Sequence, residues 1–256
     1  MRHSTTFLML LLVASILVLM FLNLVLGSVS IPLKSIWNIV CGIGGEPVTW
    51  QNIVWKSRLP QALTALVAGA GLAISGLQMQ TVFRNPLAGP SVLGISSGAS
   101  MGVAFVVLLS GSLGGVALSK LGFMGEIALS IAAVIGSLSV MALIVYVSQK
   151  VKGNVTLLII GVMIGYVANA VIGVLKFFSV EEDIRAYVIW GLGSFSRVSG
   201  NQMMLFVVIM AILIPLSFLL IKTLNLMLLG DGYARNLGLN IKRARLLVIT
   251  SAGVLT

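Results

Sequence analysis

The sequence predicts an all-α integral membrane protein, a polytopic helical bundle, on two observations. Apolar residues make up 59% of the 256 residues and charged residues only 9%, whereas a soluble domain carries about 25% charged residues. Uncharged runs recur along the chain, and about 20 apolar residues in a helix match the hydrocarbon thickness of a bilayer. A chain of this composition could not cover itself with a water-compatible surface.

Six uncharged runs predict six full transmembrane helices. They lie at residues 7–26, 59–83, 85–119, 127–149, 153–175 and 198–221, and the third can hold one helix plus an irregular start. The first run could instead be a secretory signal, but its 20 residues exceed the usual apolar core of about 7–15, which favours a retained helix. A seventh uncharged run starts at Leu246 and reaches only to Thr256, which is too short to cross a bilayer as a helix. We therefore expect the sequence to be partial.

The net charge of +10 is distributed in a way that favours a membrane orientation over a nucleic-acid surface. With a cytoplasmic N-terminus, nine of the 16 Lys and Arg residues fall inside and five of the six acids fall outside. Cytoplasmic loops carry an excess of Lys and Arg, so we predict a cytoplasmic N-terminus. The nine inner residues are Arg2, Arg84, Lys150, Lys152, Lys222, Arg235, Lys242, Arg243 and Arg245.

Small residues in the second run indicate a helix that packs closely against other helices. Ala65, Gly69 and Ala73 recur every four residues and form one stripe, and close packing of small residues drives helix association in lipid. Gln78 and Gln80, near the inner end of this helix, are compatible with a pore lining or with interfacial water.

The sequence NPLAGP at residues 85–90 follows this helix. Pro86 and Pro90 lack backbone donors and disfavour a continuous helix. Non-helical backbone at membrane depth survives only where protein or water satisfies its polar groups. The segment therefore fits either a plain connecting turn or a constriction at the cytoplasmic mouth of a path.

The predicted spans lack the groups that an autonomous pump needs. Apart from Glu126 and Lys176 at span ends, they contain no ionisable side chain, whereas a proton relay requires titrating groups in the membrane. The sequence has no G-x-x-x-x-G-K-[ST] phosphate loop, so it is not expected to hydrolyse nucleotide. The lone Cys41 and the terminal His3 cannot form a soft-metal site. A transporter of this kind is expected to take its energy from another chain.

Residues 224–243, ahead of the last run, form a further candidate site. Asp231 can cap a short helix, Gly238 can end it, and Tyr233 and Leu237 are four residues apart on one helical face. Such a helix fits a groove on a soluble partner or rests on the membrane surface, and the pattern leaves both open.

These residues resemble the FecCD family, the permease subunits of bacterial ABC importers for iron-siderophores, haem and cobalamin. The resemblance runs in order along nearly the whole chain, and its most specific block lies at residues 58–99. The matching segments are RLP at 58–60, GAGLAISG at 69–76, Gln80, NPLA at 85–88 with Pro90, LGISSGA at 93–99, WGLGS at 190–194 and LNLMLLGDGYARNLG at 224–238.

The resemblance implies a single transmembrane permease domain over residues 1–256, part of a subunit that has about ten helices in the family. It implies a second permease subunit in a homodimer, two ABC ATPase subunits and a periplasmic substrate-binding protein as partners. ATP and Mg would belong to the ATPase, so this chain would carry no cofactor and perform no covalent chemistry. Family chains also continue past Thr256 with a G-x-I-x-F-V-G-L-x-x-P-H-x-x-R block, which is a second reason to expect a partial sequence.

The resemblance also implies roles for particular residues. Arg58 matches an arginine that docks the binding protein, although Gln61 stands where the family often has a second arginine. Asn85 and Leu87 match a cytoplasmic gate, and Asn154 with Val155 aligns with its second half. Residues 224–243, named here the coupling segment, match the cytoplasmic loop that seats on the ATPase. Its candidate contact residues are Leu229, Gly230, Asp231, Tyr233, Ala234, Leu237 and Gly238.

The predicted function is therefore that of a non-enzymatic permease subunit in the bacterial inner membrane, importing an iron chelate or cobalamin. An ATP-independent secondary transporter or channel is the main alternative, because broken helices with Gly and Pro also mark the binding sites of such proteins. A membrane enzyme is disfavoured, since the spans contain no cluster of His, Asp or metal ligands.

Overall fold

The computed structural model describes residues 2–112, 123–151, 153–195, 198 and 200–256. Within these residues all regular structure is helical, which confirms the predicted all-α class. Four helices in this part of the chain are long and apolar enough to cross a membrane: Thr5–Val25, Val48–Phe83, Ile127–Lys150 and Val155–Phe177. A bent pair, Gln202–Phe218 with Ile221–Leu228, raises the number to five. The predicted count of six full spans is therefore not confirmed for the described residues.

Twelve α-helices follow one another within the described residues. They are α1 Arg2–Val25, α2 Leu33–Val40, α3 Val48–Ile53, α4 Leu59–Phe83, α5 Ile95–Ser112, α6 Phe123–Lys150, α7 Asn154–Phe177, α8 Glu181–Gly191, α9 Gly200–Phe218, α10 Ile221–Leu228, α11 Asp231–Asn236 and α12 Ile241–Leu255. A π-helical segment, Val54–Arg58, joins α3 to α4, and a 3-10 turn, Pro90–Leu93, precedes α5.

The difference from six spans comes from the third and sixth runs. The third run begins with the irregular segment that NPLAGP predicts and becomes helical only at Ile95, while residues 113–119 of that run lie outside the described residues. The sixth run forms α9 and ends at the first residue of α10, and these two helices bend by 47° at a break after Phe218. An uncharged run can therefore contain a turn or a break that its composition does not reveal.

Contacts divide the structure into two units, and the first comprises residues 1–69 and 194–209. Its core is formed by Ile31, Ile36, Ile39 and Val54. The π-helical segment lies just before Pro60, and the N–H of Leu59 bonds to the carbonyl of Val54, five residues back. Pro60 has no N–H to donate, so the ordinary α-helical bonding pattern is interrupted at this point.

The second unit comprises residues 70–193 and 210–256. Its main core is centred on Met79, Leu93, Ile144, Leu157 and Val248, all fully buried. A second cluster joins α5, α7 and α8 and consists of Val103, Ala104, Val107, Leu108, Ile172 and Tyr187. Both predicted gate segments and the coupling segment belong to this unit.

Helices α5 and α6 approach each other through glycine. A Cβ placed on Gly136 would lie 2.1 Å from the carbonyl oxygen of Gly98, and one placed on Gly102 would lie 2.2 Å from that of Ala132. No side chain fits in such spaces, so the two backbones are in direct contact. Small residues at helix interfaces permit this approach in membrane proteins.

The small-residue stripe predicted on α4 is exposed in the described part of the chain, so its packing against other helices stays a prediction. Ala65, Gly69 and Ala73 are exposed, and a Cβ on Gly69 would meet nothing within 4 Å. Another face of α4 is buried instead, where a Cβ on Gly71 would lie 3.0 Å from the carbonyl oxygen of Leu255. Spacing alone identifies a smooth face of a helix but not which face its neighbours occupy.

The buried face of α4 also uses hydrogen bonds. Ser75 Oγ donates to the carbonyl of Ala252 at 2.8 Å, and Gln78 Nε2 donates to Ser251 Oγ at 3.1 Å. Gln78 is therefore enclosed by protein, facing neither a pore nor interfacial water, whereas Gln80 is exposed. Polar side chains that bond across helices in this way add to the packing of small residues.

We expect Gly136→Leu to destabilise the chain, because overpacking a tight interface costs about 1–3 kcal/mol. Thermal unfolding in detergent, followed by size-exclusion chromatography, should show a lower Tm. Gly69→Leu is the matched control, since it places the same side chain into open space. Equal Tm values for the two variants would contradict the α5–α6 contact.

Candidate gate loop and coupling segment

Helix α4 ends in a left-handed cap that carries an arginine. The N–H of Asn85 bonds to the carbonyl of Gln80 at 3.1 Å and the N–H of Arg84 bonds to that of Thr81 at 3.3 Å. This bond pair defines a Schellman motif, in which glycine usually occupies the left-handed position. Here Arg84 takes it, with φ of 50°, and it is the non-glycine residue of the described chain with positive φ.

The residues after this cap form a tight turn, named the NPLA turn (Asn85 to Ala88). The N–H of Ala88 bonds to the carbonyl of Asn85 at 3.1 Å, and Asn85 Oδ1 accepts from the N–H of Leu87 at 2.9 Å. Pro86 occupies the second position of the turn, where its fixed φ is favourable. Ala88 is buried, whereas Leu87 is 88% exposed. The turn therefore holds the Leu87 side chain outward.

The chain beyond the NPLA turn is fixed against α7. The 3-10 turn packs so closely there that a Cβ on Gly161 would lie 2.7 Å from the carbonyl oxygen of Val92. Gly94 has φ of 72°, and a Cβ on it would lie 3.0 Å from the carbonyl oxygen of Gly161. This segment can follow such a path because glycine occupies both sides of the contact.

The second half of the predicted gate lies at the start of α7. Asn154 is the first residue of this helix and Gly153 is its N-cap; the Asn154 side chain lies outside what the structure describes. Val155 is exposed. Gly161, where the 3-10 turn packs, is about 10 Å further along the helix at 1.5 Å per residue. The structure thus packs the 3-10 turn that follows the NPLA turn against α7, the helix that begins with Asn154 and Val155.

The coupling segment folds as two short helices, α10 and α11, before α12 begins. The N–H of Leu239 bonds to the carbonyl of Ala234 at 2.9 Å and that of Gly238 bonds to the carbonyl of Arg235 at 2.9 Å. These bonds form a second Schellman motif, with Gly238 at φ of 85°. The prediction that Gly238 ends this helix is confirmed.

The prediction that Asp231 caps this helix was wrong. Gly230 is the N-cap of α11, with no side-chain capping bond, and Asp231 is the first helical residue. Its carboxylate is used elsewhere, in contacts with two arginines described below. The local sequence is compatible with a capping carboxylate and with an ion-paired one, and the nearby Arg84 and Arg245 explain why Asp231 is ion-paired.

The coupling segment has one buried and one exposed side. Ala234 is 0% exposed and Met227 is also buried, so these residues anchor the segment to the second unit. Tyr233 and Leu237 are 72% and 62% exposed, and Leu228 and Leu229 are also exposed. Both predicted contact residues, Tyr233 and Leu237, are thus exposed, while their position on one common face stays a prediction because Leu237 follows the last residue of α11. The four exposed apolar residues are together named the coupling face.

A charged cluster connects the coupling segment to α4 and α12. An Arg84 Nη2–Asp231 Oδ1 ion pair joins the left-handed cap of α4 to the start of α11. Arg245 Nη2 lies 3.6 Å from Asp231 Oδ2. The Arg245 side chain is only 7% exposed. Asp231 therefore lies between one exposed and one buried guanidinium.

The pKa of Arg245 depends on its buried position, one residue before the uncharged run that starts at Leu246. Burial lowers the pKa of its guanidinium, the Asp231 carboxylate raises the pKa, and the neighbouring Arg84 lowers it. Asp231 thus offsets part of the penalty for burying a positive charge.

The Arg84–Asp231 pair is a weak source of stability. Its side chains are 41% and 38% exposed, and exposed ion pairs contribute about 0–1 kcal/mol. A residue other than glycine in the left-handed region costs about 1–2 kcal/mol. The stabilisation by this pair therefore does not exceed the strain of the backbone that presents Arg84, and folding alone does not explain an arginine at this position.

Arg58, the predicted docking residue, lies inside the first unit. It is 5% exposed, and its Nη1 donates to the carbonyls of Leu24 at 2.7 Å and Val25 at 2.9 Å. Its Nη2 also donates to the carbonyl of Val29. A Cβ on Gly27 would lie 2.7 Å from this Nη2, so the chain after α1 wraps closely around the guanidinium. In this structure Arg58 closes the C-terminal end of α1, and its docking role stays a prediction.

Sequence reasoning missed the roles of Arg84 and Arg245, which it used only to assign an orientation. One signal was available. Asp231 is the one acid that the predicted orientation leaves on the cytoplasmic side, among nine Lys and Arg residues. A lone carboxylate in such surroundings is expected to pair with arginine, although the sequence does not identify which one.

The FecCD transport family matches residues 15–256. The chain belongs to this family. Its bounds include the gate segments and the whole coupling segment. Every residue of the NPLA turn and of the coupling face is therefore part of the family match.

Two characterised relatives extend beyond the matched region. The hemin transport system permease protein HmuU of Yersinia pestis is 35% identical over 234 residues, which cover 90% of this chain and 66% of that protein. The vitamin B12 import system permease protein BtuC of Serratia proteamaculans (strain 568) is 35% identical over 204 residues, covering 79% and 58%. The chain thus spans about two thirds or less of the length of these relatives.

A solved structure shares the fold of this FecCD chain. It is described as an inward-facing conformation of a metal-chelate type ABC transporter, and the two chains superpose with a TM-score of 0.76 at 27% identity. The match covers 94% of this chain and 70% of the other.

We expect Arg58→Met to destabilise the FecCD chain. The substitution keeps most of the apolar stem but leaves three carbonyls without their donor, and a lost hydrogen-bond partner costs about 1–3 kcal/mol. The check is the Tm of the purified chain in detergent, with Lys56→Met as the control because Lys56 is an exposed cation two residues away. A Tm unchanged by Arg58→Met would mean that the guanidinium does not stabilise the end of α1.

Proposed function

We propose that this chain is the transmembrane permease subunit of an ATP-driven ABC importer for iron chelates (siderophore or haem) or cobalamin. Both named relatives are permease proteins of import systems, one for hemin and one for vitamin B12. The shared fold with a metal-chelate type ABC transporter supports the same class. The protein would be a multi-pass protein of the bacterial inner membrane with a cytoplasmic N-terminus.

The coupling face carries this proposal most directly. Leu228, Leu229, Tyr233 and Leu237 expose an apolar surface on a segment that Ala234 and Met227 anchor from the other side. An apolar helix face on a rigid support is suited to a groove of a soluble partner. We assign that partner as the ABC ATPase, one copy for each of two permease subunits. Gly230 and Gly238 would set the path of the chain around α11.

The proposed mechanism needs no covalent chemistry in this chain. ATP and Mg bind the ATPase subunits, whose closure moves the coupling segment. The NPLA turn then moves Leu87 and Asn85, opposite Asn154 and Val155, to close or open the inner mouth of the path. The apolar side chain of Leu87 suits this role, because an apolar constriction blocks water without binding the passing chelate.

Partners complete the proposed assembly. A second copy of the permease, in a homodimer, would form the other wall of the path within the lipid, and a periplasmic binding protein would deliver the chelate. Arg58 is proposed to dock that protein by family resemblance. Its guanidinium would have to exchange carbonyl partners for a carboxylate, so Arg58→Glu would disturb the end of α1 as well as docking.

The alternative is an ATP-independent secondary transporter or channel. The broken pair α9–α10 is the observation in its favour, since interrupted helices occur at the binding sites of such proteins. Uptake of a radiolabelled iron chelate or cobalamin into vesicles separates the two functions. The ABC importer requires both the ATPase and ATP, whereas uptake without the ATPase would favour the alternative.

We expect Leu237→Asp to release the ATPase from the permease. Burying a leucine side chain contributes about 1.5–3 kcal/mol, so placing a carboxylate there should lower the affinity by about tenfold or more. Co-purification of the ATPase with tagged permease measures the loss. Asn236→Asp is the matched control, because it adds the same charge to the neighbouring exposed residue without removing apolar surface. Wild-type recovery with Leu237→Asp would refute the coupling face.

A further inference from the structure

The ion pair between Arg84 and Asp231 joins the NPLA turn directly to the coupling segment. Arg84 directly precedes Asn85 and the NPLA turn, and Asp231 is the first residue of α11 in the coupling segment. Any displacement of α11 therefore acts on the residue next to the turn. The hydrophobic core also joins the two segments, through Ala88 and Met227, but the ion pair adds a contact between specific charged groups.

The backbone at Arg84 supports a role beyond folding. A left-handed residue at the end of a helix is the position that glycine occupies without strain. Arg84 occupies it with φ of 50°, and its side chain reaches Asp231. Strain at a single residue beside a predicted gate is the pattern found where the backbone serves a mechanism.

Arg245 explains why Asp231 is held in place. Its guanidinium is buried and lies 3.6 Å from the second carboxylate oxygen, Oδ2, of Asp231. The two oxygens thus have separate partners: Oδ2 faces the rigid start of α12, and Oδ1 faces Arg84 on the turn side. Asp231 can keep its contact with Arg245 while its contact with Arg84 changes with the position of the NPLA turn.

We propose that Arg84 and Asp231 are positioning residues whose ion pair transmits movement of the coupling segment to the NPLA turn. This inference rests on the proposed function and specifies the connection within it. The link is electrostatic and side-chain mediated, so removing Arg84 uncouples the turn while leaving the coupling face intact, whereas removing the Asp231 carboxylate also takes away the partner of the buried Arg245.

The test measures the exposure of position 87 in the assembled permease–ATPase complex. Cys41 is replaced by Ser and Leu87 by Cys, which gives a single reporter thiol at the tip of the turn. The rate of labelling by a hydrophilic maleimide is measured in nanodiscs, without nucleotide and with ATP plus vanadate. Arg84→Gly, Asp231→Asn and the double variant are compared with this parent, and Arg235→Gln is the control for loss of an exposed arginine from α11.

The expected result is specific to a positioning role. Nucleotide changes the labelling rate at least fivefold in the parent and in Arg235→Gln, but less than twofold in Arg84→Gly and Asp231→Asn. The double variant is no worse than either single variant, because both act on the same pair. Arg84→Gly retains the parental Tm, since glycine relieves the left-handed strain, and it still co-purifies with the ATPase.

Three outcomes would overturn the inference. Nucleotide-dependent labelling retained in Arg84→Gly would show that the turn moves without the ion pair. A lowered Tm or loss of the complex in Arg84→Gly would make the arginine a structural anchor instead. A parent that binds no ATPase, or whose labelling ignores nucleotide, would remove the proposed function itself and this link with it.

Discussion

Backbone carbonyls at helix ends in an apolar molecule need donors from within it, and this constraint shapes the ends of α1, α4 and α11. Helix ends are the critical places, because their last carbonyls have no partner inside the helix. Arg58 provides donors at the end of α1, whereas α4 and α11 close themselves through left-handed caps. Ser75 and Gln78 bond across to α12 in the same way. Side chains that look like exposed or pore-facing groups in the sequence are therefore used in packing.

The same constraint determines the placement of charge in the coupling segment. A buried guanidinium at Arg245 requires a nearby carboxylate, and Asp231 is the acid that supplies one. Asp231 also pairs with Arg84, so that one residue connects the buried and exposed parts of the cluster. Of the exposed apolar residues of the coupling face, Tyr233 lies on the same short helix as Asp231 and Leu237 directly follows it. One six-residue helix, α11, thus combines a surface suited to a partner with an internal electrostatic contact.

Several features were predictable from sequence because they depend on local chemistry. The helical class follows from uncharged runs, the NPLA turn follows from the spacing of its prolines, and the end of α11 follows from Gly238. Other features were not predictable: the buried face of α4, the capping role of Arg58 and the partners of Asp231. These depend on which helices are neighbours, and the periodicity of one segment contains no information about another.

The sequence by itself determined membership of a helical membrane class, the family and the positions of the NPLA turn and of the segment before α12. Each of these is recorded in composition or in contiguous motifs. Tertiary structure alone decided that the Arg58 side chain is buried in the first unit at the end of α1. It also decided that glycines 98, 102 and 136, rather than the stripe on α4, form the tight helix contact, and that Arg84 reaches Asp231. The physical reason is distance along the chain: Arg84 and Asp231 are 147 residues apart, and only folding brings their charges together.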